Sequence, residues 1–344
     1  MVTKTRKETD QRSIPVFPEG KMYPVDNHHI WASVLGDSPS VVVFLAGAGA
    51  VGLDYHNVHI ALAKTYTSIV YDRRGTGWSD PIELPRTSLE VIEELRKLLR
   101  ITGLHGPYIL VGHSLGGLYA RHFAKIFPKD VAGLVILDPA HEDYFAFMPD
   151  ELRKLWKVPS EDEKAKKTKN SGFLTKLLLA LLKNGLLRAI LMRLPVFKKY
   201  RKLYQDLFSK ELEGWPENIR ETLITCHTTP EWLLGGSMEA SNVYDLYREV
   251  GSAAKMNDIP MIVLNSAEID DFRKAVSSGQ TEELFEKELE GKRKLYSEFV
   301  KTVSFGECRD IQAGHFTIHF RHPEMVLAAI QDIAEKATRN ASCR

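Results

Sequence analysis

Residues 108–117, YILVGHSLGG, decide how the rest of the chain is interpreted. Their apolar first half predicts a buried strand, and the residues that follow predict a helix. Between the two lies the pattern G-x-S-x-G, with Ser114 flanked by Gly112 and Gly116. A serine at such a tight turn needs small neighbours, and its hydroxyl is exposed at the helix N-terminus, where the helix dipole favours developing negative charge. The pattern in this setting is typical of a nucleophile elbow.

A serine hydroxyl is a weak nucleophile and needs a general base. There are twelve histidines, so residue type alone does not select one. His315 is singled out by its position, because the segment AGHF, 313–316, lies between the last predicted strand and the last predicted helix. The order in which the serine comes first and the histidine last fits the architecture that uses a nucleophile elbow. We therefore take His315 as the candidate base.

Strands and helices alternate over the first 140 residues, which indicates a parallel sheet. The predicted strands are 29–35, 41–45, 68–72, 108–111 and 131–137, and the predicted helices are 57–64, 88–101 (with Ser88 as its N-cap) and 116–127. The alternation stops over 149–257, which looks helical and irregular. It resumes with strands at 260–264 and 302–305 and a helix at 323–335. The sequence predicts an α/β fold whose mostly parallel sheet is interrupted by a large helical insertion.

Composition excludes several classes of protein. The 344 residues are 44% hydrophobic and 26% charged, which is ordinary for a globular protein, and a net charge of +1 predicts no nucleic-acid partner. The three cysteines form no C-x-x-C pair, so we expect neither a disulfide framework nor a zinc site. The polar N-terminus predicts no signal peptide, and no apolar run predicts a membrane-spanning helix. We expect a cytoplasmic protein without a metal, and surface or loop positions for His28, His29, His56 and His59.

The stretch VVVFLAGAGAVG, 41–52, supports a competing hypothesis. It runs from a strand into G-x-G-x-x-G, and Asp72 lies 20 positions beyond the last of these glycines. Glycines that admit a pyrophosphate, followed at this distance by an acid that binds a ribose, are typical of a dinucleotide site. The hypothesis leaves Ser114 and His315 without a role. We therefore expect no NAD or other cofactor.

Five segments in this order resemble the α/β-hydrolase superfamily of lipases and esterases, and the resemblance covers nearly the whole chain. They are FLAGAG (44–49), YDRRGTGWSD (71–80), VGHSLGG (111–117), LVILDPAHED (134–143) and AGHFTIHFRHPEMV (313–326). The resemblance implies a mostly parallel sheet flanked by helices, with a core formed by 1–144 and 256–344 and a helical cap formed by 145–255. It implies an oxyanion hole made by the N–H groups of Ala48 and Leu115, although Ala46-Gly47 stands where the family usually has His-Gly. It also assigns Asp72 to the 71–80 loop.

The acid of the triad has two candidates. The family most often places it after the penultimate strand, where the expected register falls on Ile269, one residue before Asp270. Asp138, at the end of LVILD, resembles the position that some lipases use instead. We prefer Asp138 because of the register mismatch and keep Asp270 as the alternative.

The insertion carries a strongly basic segment. Residues 151–203 contain fifteen Lys or Arg and four Asp or Glu, and 173–195 is a run of apolar residues punctuated by basic ones. Such a segment is typical of a helix on an anionic membrane surface, or of a cap helix whose basic side chains reach out to solvent. Both interpretations stay open. Candidate lining residues of the substrate pocket are Phe145, Phe147, Trp156, Trp232 and Leu233.

The resemblance implies a serine hydrolase that cleaves a carboxylic ester with an apolar group, through an acyl-enzyme and without a cofactor. Epoxide hydrolase and dehalogenase chemistry is disfavoured, because those relatives have an aspartate where Ser114 stands. Lactonase, thioesterase, aminopeptidase and cofactor-free haloperoxidase activities are alternatives within the same fold. A further alternative is a small-molecule-binding signalling protein with little turnover.

Overall fold

The structure is a computed structural model that describes residues 19–158, 193–277 and 279–342. Eight of its strands form one sheet in the order β1-β2-β4-β3-β5-β6-β7-β8. The first two pairs in this order, β1 with β2 and β2 with β4, are antiparallel, and all other pairs are parallel. The strands are β1 Lys21–Val25, β2 His28–Leu35, β3 Val41–Leu45, β4 Thr67–Tyr71, β5 Tyr108–His113, β6 Val131–Leu137, β7 Met261–Ser266 and β8 Gly306–Ile311.

Helices cover both faces of the sheet. They are α1 His56–Leu62, α2 Ser88–Ile101, α3 Leu115–Ile126, α4 Asp150–Leu155, α5 Pro195–Glu211, α6 Glu217–Thr228, α7 Pro230–Ala240, α8 Val243–Ser252, α9 Asp271–Val276, α10 Glu282–Val300, α11 Ile318–Arg321 and α12 Pro323–Ser342. Alternate side chains of one strand point to opposite faces. In β3, Val43 packs in the cluster formed with α2, α3 and α10, whereas Phe44 packs in the cluster formed with α1 and α12. The uninterrupted apolar run of β3 follows from burial on both faces.

The N-cap of α2 and the position of the last strand differ from the sequence predictions. The N-cap of α2 is Thr87 and not Ser88: the Thr87 hydroxyl accepts from the N–H of Glu90, whose carboxylate in turn accepts from the N–H of Thr87. This reciprocal pair is a capping box. The N-cap thus lies one residue earlier than predicted, whereas the helix has the predicted bounds 88–101. The last strand is 306–311 and not 302–305, which forms a turn. The mixed polar sequence of β8, GECRDI, lies at the sheet edge and lacks the apolar signal of a central strand.

Between β6 and β7 lies the helical insertion, whose described part comprises α4 to α8 (the inserted helices). Phe208, Leu212 and Leu223 of the inserted helices pack in one apolar cluster with Val51 and Phe320 of the rest of the fold. Most of the basic segment 173–195 lies outside the described residues. Within the described ranges, no helix is long and apolar enough to span a membrane.

Candidate active site

Ser114 occupies the turn between β5 and α3. Its backbone has φ 51° and ψ −118°, a left-handed conformation that is strained for a residue with a side chain. The turn is held by three backbone hydrogen bonds: Ser114 N–H donates to Leu137 O (3.0 Å), and Ser114 O accepts from Ala140 N–H and Gly117 N–H (3.0 Å each). The elbow is therefore fastened to the end of β6.

The two glycines of the G-x-S-x-G pattern are required by close backbone approach. A Cβ atom at Gly112 would lie 2.6 Å from the carbonyl oxygen of Gly116, and a Cβ atom at Gly116 would overlap the carbonyl oxygen of Leu45. Either contact is too short for a carbon atom next to an oxygen atom. The sequence argument for small flanking residues thus has a specific steric cause at both positions.

Three of the predicted site residues lie in a hydrogen-bonded row. The Oγ atom of Ser114 lies 3.1 Å from Nε2 of His315, and Nδ1 of the same ring lies 2.6 Å from Oδ2 of Asp138. His315 stands in the turn after β8, and Asp138 follows β6 with φ 39°. Asp138 is 3% exposed, whereas the His315 side chain is 30% exposed towards the cavity described below. The carboxyl ends of three parallel strands bring these side chains together.

The Asp138 carboxylate has two further partners. Nζ of Lys292, from α10, lies 2.8 Å from Oδ1 and 2.9 Å from Oδ2, and the hydroxyl of Ser266 donates to Oδ2 (2.6 Å). Nζ of Lys292 also donates to the Ser266 hydroxyl and carbonyl oxygens (2.6 and 3.0 Å). Burial alone would raise the pKa of Asp138, but the Lys292 ammonium and the hydrogen bond from His315 outweigh it and hold that pKa well below its usual range. Asp138 is therefore ionised throughout the physiological pH range.

The alternative acid, Asp270, is placed differently. Its Oδ1 accepts from the N–H of Arg273 (2.7 Å), so Asp270 is the N-cap of α9. Within 19–158, 193–277 and 279–342, its Oδ2 has no hydrogen-bond partner, and burial raises the pKa of Asp270. Asp270 packs against Gly314, next to His315, but it makes no hydrogen bond with the His315 ring. Ile269, where the family register falls, precedes this cap.

His113 holds the backbone of the candidate base. Its Nε2 donates to the carbonyl oxygen of His315 (2.8 Å), and the two rings lie 4.9 Å apart. Burial, assisted by the nearby His315, lowers the pKa of His113 to about 3, so the ring is neutral at physiological pH. His113 thus packs beside the elbow, and its hydrogen bond helps to fix the position of His315.

The loop 46–49 lies directly against the elbow. A Cβ atom at Gly47 would lie 3.3 Å from Cβ of Ser114. Ala48, next in the loop, lines the same cavity as Ser114. In the described part of the chain, the N–H groups of Ala48 and Leu115 make no hydrogen bond. Both remain available to a ligand. For Leu115 this follows from its place at the start of α3, where the first N–H groups lack partners within the helix.

Arg73 fixes the backbone of the loop 46–49 through hydrogen bonds. Its guanidinium donates to the carbonyl oxygens of Ala46 (2.6 Å) and Gly47 (2.7 Å), and it forms a buried ion pair with Glu239 of α7 (2.9 and 3.0 Å). Glu239 also accepts from the N–H of Gly49 (2.8 Å). The Arg73 and Glu239 side chains are 2% and 4% exposed. One inserted helix and the 71–80 loop therefore fix the backbone that carries Ala48.

Asp72 joins two loops and is fully buried. Its carboxylate accepts from the N–H of Gly52 (2.8 Å) and from the N–H of Trp78 (2.9 Å). The acid that the dinucleotide hypothesis would assign to a ribose thus binds the last glycine of the same pattern. The assignment of Asp72 to the 71–80 loop describes its position correctly.

A cavity of about 530 Å³ opens over the row of Ser114 and His315. Of the predicted lining residues, Trp232 and Leu233 line it, whereas Phe145, Phe147 and Trp156 pack elsewhere: Trp156, for example, stacks on Tyr144 (6.2 Å). Further apolar walls are Leu207, Phe208, Phe316 and Phe320. The inserted helices α5, α6 and α7 supply much of this lining.

The histidines predicted to lie on the surface include one buried exception. His59 is 3% exposed, and its ring nitrogens lie 2.8 Å from Ser68 Oγ and 3.2 Å from Ser33 Oγ. Because each ring nitrogen has a hydroxyl as its hydrogen-bond partner, the ring can be buried without an unsatisfied polar atom. Across the described ranges, no cluster of three or more His, Cys, Asp or Glu side chains is arranged to hold a metal ion.

Comparisons with known proteins agree with the fold. A family model described as "alpha/beta hydrolase fold" matches residues 40–209. Curated relatives include the "Probable transporter efuK" of Hormonema carpetanum (32% identity over 38% of this chain and 20% of the relative). The "Uncharacterized protein YqjL" of Bacillus subtilis is 32% identical over 35% of this chain and 48% of the relative. The "Putative carbamate hydrolase RutD" of Cronobacter sakazakii is 38% identical over 28% of this chain and 37% of the relative. The chain therefore matches less than half the length of these relatives.

Solved structures resemble nearly the whole chain. "Epoxide hydrolase CorEH without ligand" superposes with a TM-score of 0.60 at 16% identity, covering 92% of this chain and 98% of that one. Cfl2 of Burkholderia cenocepacia superposes with a TM-score of 0.59 at 18% identity, covering 91% and 94%. At this identity the likeness concerns the fold alone. The chain belongs to the α/β-hydrolase superfamily, and its sheet order and mostly parallel pairing are those of the predicted fold class.

Four residues around the site escaped sequence analysis: Lys292, Ser266, Arg73 and Glu239. Lys292 lies on α10, a helix that was not predicted although EELFEKELEGKRKLYSEFV has helical periodicity. Ser266 ends a strand that was predicted two residues too short. Arg73 was visible as part of the 71–80 motif. Its partner Glu239, 166 positions away, carries no local signal of the contact.

Proposed function

We propose that the protein is a serine hydrolase that cleaves carboxylic esters with a sizeable apolar group. The observation that carries the proposal is the row of two hydrogen bonds from Ser114 through His315 to Asp138. A nucleophile, a base within reach of it and an acid that orients the base are the three parts of a catalytic triad. The strained elbow and the apolar cavity above it support the same assignment.

In the first half of the reaction, the Ser114 Oγ attacks the ester carbonyl carbon while its proton moves to Nε2 of His315. The tetrahedral intermediate carries its negative charge on the former carbonyl oxygen, which the N–H groups of Ala48 and Leu115 bind. The bond from carbon to the alcohol oxygen then breaks, and His315 returns the proton to that oxygen. The alcohol leaves, and the acyl group stays bound to Ser114 as an ester.

In the second half, water attacks the acyl-enzyme while His315 accepts a proton from it. Collapse of the second intermediate returns this proton to Ser114 Oγ and releases the carboxylic acid. Asp138 stays ionised throughout: it fixes the tautomer in which Nδ1 of His315 carries a hydrogen, and it stabilises the imidazolium. Each oxyanion donor is worth about 10²–10³ in rate by comparison with other serine enzymes. The mechanism needs no metal or organic cofactor.

The inserted helices act in this proposal as a cap, within the predicted limits of 145–255. Leu207, Phe208 and Trp232 cover the candidate nucleophile with apolar surface, which favours an apolar acyl or alcohol group and excludes water from the ester. The basic segment 173–195 would add contact with an anionic membrane surface as a peripheral partner. The name of the RutD relative makes carbamates a natural addition to an ester panel.

The test is labelling with a fluorophosphonate probe, with the modified residue mapped by mass spectrometry. Wild type is expected to label at Ser114, and Ser114→Ala is expected not to label at all. A panel of esters, lactones, thioesters, carbamates and aminoacyl amides then ranks the leaving groups. Folded wild type that neither labels nor turns over any member would contradict the proposal and favour a binding or signalling protein with the same fold.

A further inference from the structure

A second histidine–carboxylate pair lies in the same cavity. Nε2 of His227, on the inserted helix α6, lies 2.8 Å from Oδ1 of Asp54, whose Oδ2 accepts from the N–H of Val51 (2.8 Å). Asp54 and His227 are 2% and 9% exposed, and both line the cavity that contains Ser114. The proposed catalytic steps use neither of them.

The pair leaves one ring nitrogen for a ligand. A carboxylate oxygen can only accept, so Nε2 of His227 carries the hydrogen of this bond, and Nδ1 is the ring nitrogen left for a ligand. Nδ1 makes no hydrogen bond in the part of the chain that the structure describes. Phe208 stacks on the ring (centroids 4.4 Å apart), which fixes its plane. His227 is therefore an oriented polar group in an apolar wall.

A third histidine adds unsatisfied hydrogen-bonding capacity on the same side. His319 lines the cavity and is 4% exposed, yet neither of its ring nitrogens has a hydrogen-bond partner among the residues that the structure describes. Burial holds the pKa of His319 well below its usual range, so the ring is neutral, with one donor and one acceptor. The ring centroid of Phe320 lies 4.2 Å from that of His319 and 5.8 Å from that of Phe208, and Phe208 in turn stacks on His227.

The charges of the cavity restrict what these groups can bind. The described lining contains no Lys or Arg, and its one carboxylate, that of Asp54, already has both oxygens occupied. An anionic ligand would find no Lys or Arg there, and a cationic ligand no free carboxylate. A neutral group that both donates and accepts hydrogen bonds can pair with Nδ1 of His227 and with a ring nitrogen of His319. A hydroxyl group has this property.

We infer that His227 and His319 form a polar subsite that binds a hydroxyl group of an otherwise apolar ester. The inference rests on the proposed function and narrows its substrate class to hydroxylated esters. A ligand hydroxyl there satisfies buried nitrogens that an unsubstituted alkyl chain leaves without a partner, so the hydroxylated ester binds more tightly.

The experiment compares p-nitrophenyl esters of medium-chain fatty acids with counterparts that carry one hydroxyl at successive positions of the acyl chain. The best hydroxylated ester is expected to exceed its unsubstituted parent about tenfold in kcat/KM. The ratio falls towards one in His227→Phe and in His319→Phe. His319→Phe leaves no described partner without its hydrogen bond, because the His319 ring has none in the described part of the chain. It therefore tests the inference even if His227→Phe, which removes the partner of Asp54, fails to fold.

The control is His122→Phe, which removes a buried histidine that is bound to Ser88 Oγ (2.8 Å) and does not line the cavity; it is expected to keep the wild-type ratio. A second readout does not need turnover. The affinity of Ser114→Ala for the same ester pairs is measured by calorimetry, and we expect the same tenfold preference for the hydroxylated ester. Failure of Ser114 labelling alone would contradict the proposed function but not the subsite. Equal binding of the paired esters, a ratio that survives His319→Phe, or a preference for carboxylate-bearing esters would overturn the subsite.

Discussion

The Asp138 carboxylate receives hydrogen bonds from His315, Ser266 and Lys292. Its replacement by an amide tests whether Asp138 is the acid of the triad. An amide cannot stabilise the imidazolium and can present its N–H₂ group to the ring, which favours the wrong tautomer. We expect Asp138→Asn to lower kcat/KM for an ester by about 10³–10⁴. Measurement of kcat/KM on protein shown by circular dichroism to be folded tests this.

The matched control is Asp270→Asn. Asparagine is as good an N-cap as aspartate, so α9 should begin where it does and activity should stay near wild type. The reverse result, a large loss in Asp270→Asn and a small one in Asp138→Asn, would move the triad acid to Asp270. Sequence analysis narrowed the acid to these two positions. Its preference for Asp138 rested on the register mismatch at Ile269 alone, because the distance of each acid from His315 depends on how two strand ends are juxtaposed.

Lys292 is a positioning residue for the same carboxylate. Its ammonium is buried and balances the charge of Asp138, so Lys292→Met leaves the negative charge less compensated and favours the protonated state of the neighbouring base. We expect the acid limb of the kcat/KM profile to move to higher pH. Because one partner of a buried pair is lost, we also expect unfolding to become easier by about 3 kcal/mol.

Lys294→Met provides the comparison for Lys292→Met. The Lys294 side chain is 64% exposed and pairs with Glu290 on the solvent side of the same helix. We expect Lys294→Met to leave the pH profile unchanged and to change the free energy of unfolding by no more than about 0.5 kcal/mol. An unshifted acid limb in Lys292→Met would reduce Lys292 to a purely structural role. No sequence pattern pointed to this lysine, because its function comes from a contact between α10 and the turn after β6.

At the scale of elements, the sheet was predictable and the contacts between distant segments were not. Strands β3 and β6 are continuous apolar runs between turns, and their predicted bounds are those observed. The edge strand β8 is polar, and α10 is amphipathic but follows an irregular stretch, so neither was identified correctly. The ion pair between Arg73 and Glu239 joins a loop of the sheet to an inserted helix.

That ion pair yields a prediction about an element rather than a single group. In Glu239→Gln, the guanidinium of Arg73 loses its counter-charge, and the N–H of Gly49 can lose its acceptor, so the loop that carries Ala48 becomes less fixed. We expect kcat for an ester to fall about 10- to 100-fold with little change in KM, because the oxyanion forms during the reaction and is absent from the bound ester.

Glu249→Gln is the corresponding control. Glu249, on α8, also accepts from two core N–H groups, those of Ser88 and Leu89 (2.8 Å each), but it does so at the start of α2. We expect Glu249→Gln to lower the free energy of unfolding without lowering kcat. If Glu239→Gln raised KM and left kcat intact, α7 would shape the substrate cavity without acting through the loop.

At the scale of the whole molecule, buried histidines make stability depend on pH. Burial lowers the pKa values of His59, His113 and His141 to about 3 each, from the usual histidine value of about 6.5. The stability that these neutral rings contribute is fully present above the unfolded pKa and is lost as pH falls towards 3. Asp72 opposes this trend: burial raises its pKa to about 7, so it favours folding as pH falls from 7 towards 4. The lowered histidine pKa values, that of His319 among them, outnumber the raised pKa values of Asp72 and Asp270, so acidification leaves a net loss of stability.

We expect the free energy of unfolding, measured by urea denaturation, to fall between about pH 6 and pH 4 by roughly 1.4 kcal/mol per pH unit for each net proton taken up on unfolding. His59→Gln removes one titrating ring and should reduce this slope by about one such step. Ser68→Ala removes a hydrogen bond of the same ring but keeps the buried histidine, so it should lower stability and retain the slope. An equal slope in wild type and His59→Gln would mean that this ring is not held neutral by burial. The acid sensitivity would then arise from ion pairs such as that of Arg121 with Glu142, which lowers the pKa of that carboxyl to about 2 against the opposing effect of burial.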